Sequence, residues 1–158
     1  MEASEPRLEH LFDVHVDLEA PQVVGATPQG MRQIFPVKGG VFEGSRLKGK
    51  ILPGGGDWAL IRTDGAVQLD VRGTFQTDDG ALIYGTYGGL IVAEPAVFGR
   101  LLQAEDVPLD EYYFYVNPMF QTGAPEYAWL NKLIAIGRGK VVPGGVEYRI
   151  WAVTQAAE

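Results

Sequence analysis

Along much of the chain, apolar and polar residues alternate one for one. That is the pattern of strands with one buried and one wet face. Between Leu8 and Leu18, Phe12, Val14, Val16 and Leu18 share one face and Asp13, His15 and Asp17 the other. Ala20-Pro21 ends this strand, a loop with Gly25, Pro28 and Gly30 follows, and Met31 to Phe35 reads as a second strand. The stretch Pro36-Val-Lys-Gly-Gly-Val-Phe-Glu-Gly44 is too rich in glycine for a regular strand interior and predicts a bend across a sheet edge. Arg46 to Leu52 reads as a strand, and Pro53-Gly-Gly-Gly-Asp57-Trp58 as a special turn.

The middle of the chain carries the clearest pattern. Ala59 to Thr63, Val67 to Thr77 and Ala81 to Ala93 read as three strands joined at Asp64-Gly65 and Asp79-Gly80. Asp-Gly pairs supply the positive φ that tight hairpin turns require, so this is a meander. Val97, Phe98, Leu101 and Leu102 have helical spacing within Pro95 to Gln103, and Pro125 to Asn131 reads as a helical turn. Glu111 to Gln121 is aromatic-rich and strand-like. Leu133 to Arg138 and Val146 to Val153 form a closing pair around Pro143-Gly144-Gly145. Regular turns and short connections favour a barrel or sandwich over a βαβ sheet. The expectation is an all-β chain, a single mostly antiparallel β-barrel of about nine strands with one or two short helices. It forms one domain over residues 1–158, with 1–7 and 155–158 frayed.

Composition narrows the function classes. The chain has 158 residues and no cysteine, which excludes disulfides, thiolate metal sites and a cysteine nucleophile together. Its net charge of −7 argues against nucleic acid and anionic membranes as partners, because neutralising phosphate needs a basic face. Met1 to His10 lacks an apolar signal core and no stretch approaches a membrane span, so the expected compartment is the cytoplasm. His10 and His15 lack metal-ligand spacing, and Ser4 and Ser45 sit in no nucleophile elbow, so neither a metal nor a serine nucleophile is expected.

The candidate chemistry is carboxylate, guanidinium and aromatic. Asp70 and Arg72 are two apart on the long strand, so they share a face with Gln68, Thr74 and Gln76. Facing a pocket, Arg72 would bind an anion or carbonyl with Asp70 as orienter or base. Facing water, the two are a weak surface pair. Asp57 beside Trp58 would set a carboxylate against an apolar ring, raising its pKa toward general-base use; the alternative is a turn-capping Asp next to a core Trp. Lys38 and Glu43 flank the glycine-rich bend, as cavity charges or as solvated loop residues. Tyr84, Tyr87, Tyr113, Tyr115, Tyr127, Trp129 and Trp151 supply aromatic surface for a pocket wall, a core or a subunit contact.

At these residues the chain resembles domain-of-unknown-function family 3237. The similarity is carried by Gly30-Met-Arg32, Pro36 to Gly44, Pro53 to Trp58, Asp64-Gly65, Leu69-Asp-Val-Arg72, Asp79 to Tyr84, Phe120-Gln-Thr-Gly123 and Tyr127-Ala-Trp-Leu-Asn131. Each piece is weak, but the ordered set runs from about Leu8 to Val153. The resemblance implies a β-barrel, often oligomeric, with a pocket near a subunit contact. Some fungal relatives are associated with cofactor-free ring closure or isomerisation. Gly73 stands after Arg72 where the family more usually has an aromatic, a departure that would enlarge or reshape the cavity.

The resulting functional expectation is a cofactor-independent lyase, isomerase or cyclase working on a small planar phenol, enol or carbonyl compound. Asp57, Asp70 and Arg72 are the catalytic candidates. Lys38, Glu43, Trp58, Tyr84, Tyr127 and Trp129 are the substrate-binding candidates. The expected partners are a small molecule and further copies of the chain. A non-catalytic binding barrel or a structural subunit is the alternative. All of it depends on the polar face of the long strand looking into an enclosed space.

Overall fold

A computed structural model describes residues 4–155. It has ten strands: β1 (Arg7–Leu18), β2 (Gln22–Thr27), β3 (Gly30–Glu43), β4 (Lys48–Ile61), β5 (Val67–Thr77), β6 (Leu82–Val92), β7 (Tyr113–Val116), β8 (Met119–Gln121), β9 (Ile134–Val142) and β10 (Gly145–Thr154). Helix α1 (Pro95–Leu102) follows β6, and a 3-10 segment, Pro125–Lys132, precedes β9. All strand pairs are antiparallel. The order runs β1-β10-β9-β7-β6-β5-β4-β3, and β3 then pairs back to β1, so eight strands close into a barrel. β2 extends along β3 and β8 along β6. Closure satisfies the backbone edges that an open sheet would expose. No helix among the described residues is long and apolar enough to cross a membrane.

The alternation of the sequence maps onto the inner and outer barrel faces. On β1, Phe12, Val14 and Val16 are buried; on β5, Val67, Leu69, Val71 and Phe75 are buried while Gln68, Asp70 and Arg72 are exposed. One half of the interior is solid. Phe12, Phe42, Phe75 and Phe120 pack at tilted and edge-to-face angles with centroids 5.2–5.9 Å apart. Edge-to-face contacts add to the stability that burial alone gives such rings. The larger space lies toward the end where α1 sits.

Three segments depart from the expectations. Gln22–Thr27 forms β2 where a loop was expected, because this strand lies outside the closed barrel and its residues are exposed or half-buried without alternation. The glycine-rich stretch stays within β3 from Pro36 to Glu43, with a register shift between Pro36 and Gly40. Pro53 to Trp58 is a bulge inside one continuous strand, β4, where a turn between two strands was expected. Leu52 pairs with Thr74 and Gly56 with Arg72, so β4 carries two extra residues there. The bulge bends the strand while keeping Ile51 and Asp57 on the inner face. Of the predicted frayed ends, Arg7 pairs with Thr154 in the barrel; residues 1–3 and 156–158 lie outside the described residues.

Candidate active site

The open half of the barrel holds a cavity of about 530 Å³, within the usual size of small-molecule sites. Its wall is mostly aliphatic, from residues such as Val16, Leu69 and Ile91, with Phe35, Phe98 and Phe114 adding aromatic surface. Cross-strand register sets four side chains from four strands at one depth: Phe35 opposes Asp57, Asp57 opposes Val71, and Val71 opposes Tyr87. Val71, Tyr87 and Tyr148 also line the small void above the phenylalanine plug, so this row forms the cavity floor.

Asp57 reaches the cavity because the bulge precedes it and Ala59 and Ile61 continue its face inward. The β4–β5 pairing stops at Asp57↔Val71 and resumes at Leu60↔Gln68. In that gap the Asp70 backbone N–H donates to Asp57 Oδ1 at 3.0 Å, a carboxylate accepting where a carbonyl would in a regular ladder. Burial in the apolar barrel pushes the Asp57 carboxyl up to about 6; the Asp70 N–H and the positive charge of Arg32 pull the other way, and the Asp70 carboxylate adds to the rise. At neutral pH Asp57 is a carboxylate held at a cost, the state suited to a general base.

Tyr87 and Tyr148 stand edge-on, with ring centroids 5.3 Å apart. Burial raises both phenols strongly, and the negative charge of Asp57 raises them further. Hydrogen bonding between the two side chains lowers Tyr87 and raises Tyr148. The phenols stay neutral and can donate hydrogen bonds, beside a carboxyl that holds its proton more tightly than an ordinary aspartate does. Gln33 adds an amide to the wall.

Of the residues expected to form the site, the structure brings only Asp57 into this cavity. Asp70 and Arg72 are exposed on the outer barrel face, lining a shallow groove with Tyr84, Asn117 and Met119. The Arg72 guanidinium lies over Trp58, 5.7 Å from the ring centroid. The polar face of the long strand therefore looks at water, against the expectation, because β5 gives its aliphatic side chains to the core. Trp58 is adjacent to Asp57 and hence on the other face, where its carbonyl accepts from Arg32 Nη1 at 2.7 Å. Lys38 and Glu43 are exposed on β3. Tyr127 donates to the Asp79 carboxylate at 3.1 Å, and Trp129 stacks on Arg46 at 3.7 Å, both beside the plugged half. Tyr87, though counted among the aromatics, was not marked as a site residue, and Gln33 and Tyr148 were not singled out. The signal for Tyr148 is its place on an alternating run with Val146, Ile150 and Ala152, which makes it a polar-tipped residue on an inward face.

Fold and site together define a small closed antiparallel β-barrel with a ligand-sized internal cavity floored by one carboxyl and two phenols. The chain belongs to the family described as "Protein of unknown function (DUF3237)", which it matches over residues 6–153. A β-barrel-like protein of known crystal structure from Acinetobacter baumannii AYE is 36% identical with a TM-score of 0.84, over 97% of this chain and 99% of its own. A UPF0311 protein of Rhodopseudomonas palustris (strain TIE-1) is 33% identical over 134 residues, 84% of this chain and 88% of its own. A hydroalkoxylation enzyme of Penicillium herquei is 25% identical over 132 residues, 84% of this chain and 73% of its own. Enzymes thus occur among the relatives of this chain.

Proposed function

We propose that this protein is a cofactor-independent acid–base enzyme that isomerises or cyclises a small planar phenolic, enol or carbonyl compound inside the barrel. The observation that carries the reading is the Asp57 carboxyl, raised to about 6 in an apolar cavity, with two buried phenols close enough to feel its charge. The deprotonated carboxylate takes the proton from a substrate hydroxyl. The freed oxygen attacks the far carbon of a conjugated alkene, a C–O bond forms, and the π electrons move onto the carbonyl oxygen. Tyr87 donates a hydrogen bond to that developing oxyanion, backed by Tyr148. Asp57 then returns the proton to carbon, so substrate and product are isomers and the enzyme is unchanged. The hydroalkoxylation enzyme among the relatives supports this reaction class.

Ring closure of 2′-hydroxychalcone to flavanone, followed by absorbance, tests the reading, because the reactant is a neutral planar phenol with an enone. The wild type should accelerate closure, with a rate that rises with pH through about 6 as Asp57 ionises. Asp57→Asn should lose roughly 10²–10⁴-fold, the usual share of a general base. Equal rates for wild type and Asp57→Asn would overturn the assignment. Reactant recovered unchanged after long incubation would make the barrel a carrier.

A further inference from the structure

We propose that the cavity selects uncharged, largely apolar ring compounds bound hydroxyl first, and rejects anions of the same shape. This deepens the reading above and rests on the cavity being the ligand site. Five side chains with polar ends line it: Glu19, Gln33, Asp57, Tyr87 and Tyr148. Two are carboxyls, and among the described residues no lysine, arginine or histidine lines the cavity. The cation acting on Asp57, Arg32, turns its guanidinium to the Trp58 carbonyl.

The polar groups also have an order in depth. Asp57, Tyr87 and Tyr148 sit at the floor, whereas Glu19 is exposed at the mouth with Leu102 and Pro143. A ring carrying one hydroxyl satisfies the floor with that group and buries the rest against aliphatic wall. An anionic analogue passes one carboxylate at the mouth, meets another at the floor, and finds no cation to replace its lost hydration. Like charges about 6 Å apart at a protein-like dielectric cost on the order of a hundredfold in affinity. The charged and titratable groups acting on Asp57 are Arg32 from β3, Asp70 from β5, Tyr87 from β6 and Tyr148 from β10; at pH 7.5 they leave it ionised.

The test is calorimetric binding of 2-naphthol and 2-naphthoate at pH 7.5, which share one ring skeleton. The wild type should bind 2-naphthol at least roughly tenfold more tightly. Glu19→Gln, at an exposed position where folding is not at stake, should strengthen 2-naphthoate severalfold and leave 2-naphthol unchanged. Asp57→Asn should strengthen 2-naphthoate further. Equal affinities in the wild type, failure of both compounds to bind, or a Glu19→Gln variant with unaltered preference would each overturn the proposal. Calorimetry reads binding alone. Selective naphthol binding without chalcone closure would sink the enzyme reading and leave this one standing; closure without selectivity would do the reverse.

Discussion

Replacing Asp57 by asparagine should stabilise the protein above neutral pH while disabling it as a base. An ordinary aspartate titrates near 3.8, and in the barrel Asp57 is raised to about 6. The folded state therefore holds this proton more tightly than the unfolded chain does. Below 3.8 the group is neutral in both states and costs the fold nothing. As pH rises from 3.8 to 6 the unfolded chain ionises freely while the folded one resists, and stability falls. Above 6 the loss is complete and constant. The shift corresponds to about 3 kcal/mol at 1.36 kcal/mol per pKa unit.

Asparagine keeps the shape, and its Oδ1 can still accept the Asp70 N–H, but it does not ionise. Its amide hydrogens return part of the gain if they find no partner, at about 1 kcal/mol. Urea unfolding of both proteins between pH 4.5 and 8 isolates the effect, since every other titrating group is common to the pair. The stability difference should grow by about 2 kcal/mol in favour of Asp57→Asn across that range. Each kcal/mol is worth about 2–4 °C in melting temperature for a chain of this size. A difference independent of pH would refute the burial of an ionised carboxyl, and with it the general-base argument.

Two further outcomes probe the frame around the site. At Gly139 an added Cβ would lie 2.6–2.7 Å from Phe114 ring carbons, so Gly139→Ala should cost about 1–3 kcal/mol in urea unfolding by overpacking the wall beside Tyr148. Arg72→Ala should change stability by no more than about 0.5 kcal/mol and leave chalcone closure at the wild-type rate, because this guanidinium lies on the outer face; a large loss of turnover would reinstate it as a site residue.

Much of the barrel is readable from local chemistry. The alternation in Val67 to Thr77 and the Asp-Gly turns at Asp64-Gly65 and Asp79-Gly80 mark β5, its neighbours and their hairpins. The short helix at Pro95 follows from its apolar spacing. β2 was not readable, because a strand that buries neither face imposes no period on its sequence. The bulge in β4 was hidden for a related reason: Pro53 to Gly56 have almost no side chains with which to show a face, so a continuous strand looked like two strands and a turn.

The site divides along the same line. Asp57 could be named as a candidate because a carboxyl beside an aromatic and a glycine run is chemically conspicuous. Asp70 and Arg72 were conspicuous too, and the fold set them outside. Alternation sorts residues into two faces, and burial of the aliphatic set then sends the polar set outward unless a polar residue shares the apolar face. Asp57 with Ala59 and Ile61, and Tyr148 with Val146 and Ile150, are such residues.

The amino-acid sequence by itself determined most of the strands, most of the turns and the two faces of the clearest strands, because these depend on neighbours two to four positions apart. Only the closed sheet decided that Phe35, Asp57, Val71 and Tyr87 share one level and that Tyr148 stands beside Tyr87. Register between strands and closure of β3 on β1 join residues far apart in the chain, and the low dielectric that raises Asp57 exists only once those walls have met.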